Sequence, residues 1–246
     1  MADDDFPERK IGCLSPRTII DNHAYEFYRM APPGVMLVMV SCGLEEFSLA
    51  EVERVFRPLE KLLDLMMERS VDLIAQTGIP LPALIGPEAH DKLLARIEKH
   101  TKIHSTSDLH AVIAALKHLK AKKVVMANKW SDEMNASLAK FMKRDGMEVV
   151  GFSNKSLSPR EFSKIEARAS AQLAYDLGAA AFDAHPDADA LFIGGGNWLS
   201  QPVCEKLEKV YNKPVICNIG AEVWHDLRHF KMWKPMPGRG MLLSGS

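Results

Sequence analysis

Two apolar runs in this chain stop at glycine. Val71 to Gln76 leads into Thr77-Gly78, and Leu191 to Ile193 leads into Gly194-Gly195-Gly196-Asn197. In a parallel α/β sheet, ligands bind beyond the carboxyl ends of the strands. Backbone amides at Gly78, Gly194, Gly195 and Gly196 would surround such a site. Ser15, Thr77, Asn128, Asn197 and Asn218 fall at or just past other strand-like runs. Amides and small polar groups of this kind suit a carboxylate or a polarised carbonyl, although Asn and Gly also favour turns with no ligand. The titratable candidates are Lys129, Asp132, His225, Glu222 and Arg17. Lys129 follows a strand directly, where a cleft lysine would sit. Arg17 follows the first strand and could grip a carboxylate bidentately. The simpler reading of Lys129 is a solvated surface lysine, and that of His225 a packing or helix-surface histidine. The candidate catalytic residues are Lys129, His225 and Asp132.

A unit used twice would position these residues. Each copy is an apolar strand ending in glycine, a helix, a short strand and another helix, and the copies start about 120 residues apart. Ile11 to Ser15, Val35 to Ser41 and Val71 to Gln76 read as strands covered on both faces. Ser48 to Ser70 reads as one helix, with Ser48 at the N-cap and Glu51 at the capping-box position. Helices are expected over Glu88 to His100 and, capped by Ser107, over Asp108 to Leu119. In the second half, strands are expected at Lys123 to Ala127, Met147 to Phe152, Leu191 to Ile193 and Val215 to Cys217. Ser131 caps a helix over Asp132 to Arg144, and Ser158-Pro159 opens a long helix towards Phe182. Strand–helix alternation predicts an α/β fold. Its two pseudo-symmetric halves would each hold a parallel sheet of about four strands flanked by helices. The halves are expected at 11–119, with the C-terminal helix able to cross over to it, and at 120–230. Residues 1–10 should fray, and 231–246 should form a surface tail.

Composition narrows the function. The chain has 246 residues, a net charge of -1 and 47% hydrophobic residues. That balance gives no electrostatic case for nucleic acid or an anionic membrane. No apolar run approaches the length of a bilayer span, and the acidic N-terminus lacks a signal-peptide core. A cytoplasmic location is expected. Cys13, Cys42, Cys204 and Cys217 form no C-x-x-C pair and suggest neither a zinc site nor a disulfide framework. The Gly194 stretch lacks the spacing of a dinucleotide fingerprint. The reading is therefore cofactor-free and metal-free. The expected partner is a small carboxylate; a homo-oligomer is left open.

The segment from Ile11 to Val35 is diagnostic. Glu26-Phe27-Tyr28-Arg29 followed by Pro33-Gly34-Val35 resembles the opening of one branch of the aspartate/glutamate/hydantoin racemase superfamily. That branch holds the maleate isomerases and arylmalonate decarboxylases. The resemblance continues at Ser105-Thr106-Ser107, at Ala127 to Asn135, which includes Trp130, and at Trp224 to Arg228. It implies a pseudo-twofold fold and a substrate carboxylate held by amides and small hydroxyls, so that an enediolate-like intermediate accepts charge. In the racemases two cysteines act as acid and base across the substrate. The isomerases use a cysteine nucleophile, and the decarboxylases keep only the second-half cysteine. By this resemblance the first cysteine position is Gly78 and the second is Gly195. The family's hydroxyls after the first position become Ile79 and Pro80, and the decarboxylases' carboxylate-binding tyrosine becomes Trp130.

The expected substrate-binding set is thus Ser15, Arg17, Thr77, Gly78, Asn128, Trp130, Gly195, Gly196, Asn197 and Asn218. The expected function is decarboxylase-like action on a small carboxylic acid through an enediolate, with a non-cysteine acid/base. Two alternatives stay open. One is a cis–trans isomerase or a hydrolase/hydratase on the same scaffold, with Lys129, Asp132 or His225 activating water in the latter. The other is a non-catalytic small-acid-binding protein.

Overall fold

The computed structural model describes residues 6–245. The chain begins with β1 (Arg9–Arg17), α1 (Asp21–Tyr28), β2 (Val35–Leu44), α2 (Leu49–Phe56), α3 (Leu59–Glu68) and β3 (Leu73–Gln76). It continues through α4 (Pro80–Ile85), α5 (Pro87–Thr101), β4 (Ser105–Ser107), α6 (Asp108–His118), β5 (Lys123–Asn128), α7 (Asp132–Arg144) and β6 (Glu148–Asn154). It ends with α8 (Pro159–Phe162), α9 (Ala167–Ala184), β7 (Ala190–Ile193), α10 (Gln201–Tyr211), β8 (Val215–Cys217), α11 (Asn218–His229) and α12 (Met241–Ser244). The strands form two four-stranded sheets of identical order, β2-β1-β3-β4 and β6-β5-β7-β8. Every pairing is parallel. β3 and β7 are buried along their whole length, which is why they read as continuous apolar runs rather than alternating ones.

The sheets divide between β4 and β5, but the core does not. One apolar cluster joins Ile11 and Leu73 of the first sheet to Val124 and Phe192 of the second. Val112 and Ile113 of α6, and Ile219 and Val223 of α11, fill the space between them. These two central helices start at the ends of β4 and β8, so their first residues lie on the midline between the halves.

Four expectations change. The helix expected over Ser48 to Ser70 is two helices, because Pro58 interrupts it between α2 and α3. Ser48 does cap α2, accepting from the Glu51 amide at 3.2 Å, but the Glu51 carboxylate turns to the Glu45 amide and to Arg54. The long helix expected from Pro159 also breaks. A capping box of Ser158 and Glu161 starts the short α8, and burial of Phe162 turns the chain inward before α9. Of the stretch expected to fray, residues 1–5 lie outside the described residues, and Arg9 already belongs to β1. The C-terminal segment is not a surface tail. Leu242 and Leu243 are buried in the shared core, and the Met241 amide donates to Glu208 at 2.8 Å.

Candidate active site

The identical sheets place equivalent residues on the two sides of one cleft. The Thr77 amide donates to the Leu14 carbonyl, and the Gly194 amide to the Ala127 carbonyl. Those matched bonds make Gly78 the counterpart of Gly195, and Pro16 the counterpart of Lys129. Both glycines have positive φ, +88° at Gly78 and +119° at Gly195, a region that side-chain-bearing residues seldom enter. The equivalence extends to the central helices. The Gly78 amide donates to Asp108 Oδ2 at 2.7 Å, and the Gly195 amide donates to Asn218 Oδ1 at 2.8 Å. Asp108 and Asn218 are the first residues of α6 and α11. They meet on the midline, where Asn218 Nδ2 donates to Asp108 Oδ2 at 3.3 Å.

This arrangement corrects the expectation that the Gly78, Gly194 and Gly195 amides hold a ligand. Asp108 and Asn218 already occupy two of them, and the Ala127 carbonyl takes the third. Asn218 is therefore a bridge between the halves rather than a wall of the cleft. The amides of Gly196 and Asn197 carry no hydrogen bond among the described residues.

The cleft measures about 530 Å³ with its open mouth included. Its walls include Ser15, Arg17, Thr77, Gly78, Lys129, Trp130, Gly195, Gly196 and Asn197, all anticipated from the sequence. Asn128, Asp132 and His225 do not line it. Asn128 is wholly buried and organises the loop after β5, donating to Asn135 Oδ1 at 2.6 Å and accepting from the Trp130 amide at 3.0 Å. Asp132 is exposed at the start of α7 and accepts from Asn154 Nδ2 at 2.9 Å. His225 is half-buried on α11, with Nδ1 3.0 Å from Asp226 Oδ1. Asp132 and His225 follow strand ends in sequence, but their helices carry them out of the cleft.

Lys129 has the most unusual environment. It is 4% exposed, lines the cleft, and makes no salt bridge or side-chain hydrogen bond among the described residues. Its Nζ lies 3.1 Å from the centre of the Phe162 ring and 4.4 Å from that of Trp198. Burial pushes its pKa well below the ordinary lysine value, the neighbouring Arg17 pushes in the same direction, and Glu26 only partly opposes them. The ring faces favour the cation by about 0.5–2 kcal/mol. Loss of hydration costs an ion several kcal/mol, so burial wins and the uncharged amine is favoured relative to a lysine in water. The neighbouring glycine makes room for it. A β-carbon on Gly195 would stand 2.9 Å from Lys129 Nζ. Gly194 makes room for Trp130 in the same way, since a β-carbon there would meet the indole at 2.6 Å.

The sequence reading missed His23, Asp108 and Phe162 in the cleft wall. His23 Nε2 lies 3.1 Å from Glu222 Oε2, and both side chains are almost fully buried. Its Nδ1 faces the glycine turn, 3.7 Å from where a β-carbon on Gly196 would be. Burial alone would lower the His23 pKa, but the charge of Glu222 beside it, with Asp108 and Glu26 adding, raises it to about 9. Asp108 moves upward too, through burial and the charge of Glu222. The repeat held a signal for Asp108. It occupies the position after β4 that Asn218 occupies after β8.

Among the described residues, two groups of side chains bring three metal-type donor atoms within 4.8 Å of one another, Cys13–His23–Glu222 and His90–Asp91–His110. Burial and the carboxylates of Glu222, Asp226 and Asp108 hold the Cys13 thiol protonated, so the first group reads as an ion pair beside a thiol. In the second, Arg144 Nη1 donates to Asp91 at 2.7 Å, and its cation stands where a metal would need that carboxylate.

A family model for arylmalonate decarboxylase matches residues 27–243. The arylmalonate decarboxylase of Bordetella bronchiseptica is 24% identical over 182 residues, covering 74% of this chain and 75% of that protein. Among solved structures, a liganded double mutant of arylmalonate decarboxylase aligns with a TM-score of 0.82 at 20% identity, over 97% of this chain and all of its own. The maleate isomerase Iso of Pseudomonas putida aligns with a TM-score of 0.83 at 17% identity, over 96% of this chain and 98% of its own. A Nocardia farcinica maleate cis-trans isomerase mutant, which carries a covalent succinylcysteine, aligns over 97% and 99% with a TM-score of 0.81 at 17% identity.

Proposed function

Because the chain belongs to the arylmalonate decarboxylase family, we propose that it removes CO2 from a small carboxylic acid through an enediolate-like intermediate, with Lys129 as the acid and base. One observation carries this reading. Lys129 Nζ lies 2.9 Å from the β-carbon position of Gly195, the residue that the family resemblance aligns with the second-half cysteine. By that resemblance, the amine stands beside the position at which the decarboxylases keep their proton donor.

Before substrate binds, burial favours the uncharged form of the Lys129 amine. A dianionic malonate-type substrate, gripped beside Arg17, favours the ammonium form and draws a proton onto Lys129. The bond to the departing carboxylate breaks, CO2 leaves, and the electron pair spreads from the α-carbon onto the retained carboxylate. The ammonium gives its proton to the α-carbon and becomes uncharged again. One proton is consumed for each CO2 released.

Isomerisation through a thiol adduct is the weaker reading, because no cysteine lines the cleft among the described residues. A panel of α-substituted malonic acids tests the proposal, with CO2 release and proton uptake both followed. The parent should turn over at least one of them. Lys129→Met should lose about 100-fold or more, the usual scale for removing a positioned acid or base. An inert parent, or a fully active Lys129→Met, would refute it.

A further inference from the structure

Charge that builds on a retained carboxylate wants preorganised donors; Asp108 and Asn218 take the Gly78 and Gly195 amides, which leaves those of Gly196 and Asn197. The cleft also offers a second electron sink. Lys129 presents an amine with no hydrogen-bond partner among the described residues, walled by the faces of Phe162 and Trp198 and opening on the cleft. A lysine that is desolvated and set beside another cation is a nucleophile as well as a base, and Arg17 supplies that second cation.

We propose that Lys129 forms an imine with small 3-oxo carboxylic acids and decarboxylates them through an enamine. The inference rests on the reading of the cleft as a site for small carboxylic acids that lose CO2. The Lys129 amine adds to the ketone carbon, and the adduct takes one proton from solvent and loses water to give a protonated imine. The bond to the carboxylate breaks, CO2 departs, and the electron pair moves into the imine to form an enamine. The enamine carbon then takes a proton from the imidazolium of His23, whose Nδ1 faces the cleft at the Gly196 turn. The imidazole regains its proton from solvent. Water hydrolyses the new protonated imine, releasing the ketone, returning the proton taken up at imine formation to solvent and restoring the amine. The balance is one 3-oxo acid anion and one proton in, one ketone and one CO2 out.

Borohydride trapping tests this. The whole chain is incubated with acetoacetate, reduced with sodium borohydride, weighed by intact mass spectrometry and mapped by peptide digestion. The expected result is one reduced adduct per chain, located on Lys129. Its yield should fall at least ten-fold in Lys129→Arg, which keeps a cation without a free amine, and in Lys129→Met, which keeps the packing should arginine not fit. No adduct on the parent, or equal labelling of surface lysines in parent and variants, overturns the imine. The same preparations are assayed on an α-substituted malonate, which has no ketone. CO2 from the malonate without any adduct from acetoacetate overturns the imine while leaving the decarboxylase reading standing. An adduct on Lys129 with an inert malonate panel supports the imine and removes the acid–base reading.

Discussion

Lys129 Nζ stands 2.9 Å from the point where a β-carbon on Gly195 would lie. A side chain at Gly195 would displace the amine from this position. Putting a cysteine at Gly195 would not simply restore a family proton donor. It would push Lys129 aside, and it would force an L-residue to a φ of +119°, a strain of roughly 1–3 kcal/mol. Gly195→Cys should lower the thermal midpoint and cut turnover at least ten-fold. Calorimetry and a crystal structure of the variant check both points, and a variant with parental stability and rate would contradict them.

Lys129→Met should be more stable than the parent at neutral pH. The folded pKa of Lys129 lies below its unfolded value, so the folded chain holds this proton less tightly than the unfolded chain does. That deficit weakens the fold at pH 7 and fades as pH rises towards the unfolded lysine value. Denaturant unfolding at pH 7 and pH 10 should show the variant's advantage at the lower pH and its shrinkage at the higher. The same variant loses activity, which separates the cost of the amine from its use.

The His23–Glu222 pair has the opposite sign. The folded pKa of His23 is raised to about 9, against roughly 6.5 unfolded. Its stabilisation is fully present below that unfolded value and is lost as pH rises through about 9. Glu222→Gln removes this dependence, so the parent and variant curves of stability against pH should converge between those limits. At pH 6, His23→Gln should cost about 3–5 kcal/mol, because it strands a buried carboxylate. The double variant His23→Gln with Glu222→Gln should cost less than His23→Gln alone. A larger loss in the double variant would mean that the pair is held by packing rather than charge.

Thiol alkylation should leave ligand binding and turnover intact. Cys13, Cys204 and Cys217 are at most 1% exposed. Cys42 is half-buried, and burial pushes its thiol up to about 12, where little thiolate exists to react. Iodoacetamide treatment followed by activity assay checks this. Rapid inactivation with substrate protection would assign a thiol to the cleft and displace Lys129 from its proposed role.

The sequence by itself determined the strands, the repeat and most of the cleft wall. Apolar runs such as Leu191 to Ile193 leave little choice of structure once both faces must be buried, and their glycine ends mark where the sheet stops. The family resemblance paired Gly78 with Gly195 from the sequence, and the repeated unit is consistent with that pairing. Helix continuity was less legible. The expected helices break at Pro58 and Phe162 because the chain must turn there to bury α3 and Phe162 itself, and Leu242 and Leu243 dock a segment that composition marks as a tail. Only the tertiary structure decided which polar groups were free. Asp108 and Asn218 reach the glycine amides across more than twenty residues of chain, His23 meets Glu222 from opposite ends of the chain, and α7 and α11 carry Asp132 and His225 out of the cleft. The desolvation of Lys129 comes from a setting that includes Phe162 and Trp198, both brought to it by folding. Protonation and hydrogen-bond satisfaction depend on desolvation by distant residues, and that has no period or spacing along the chain.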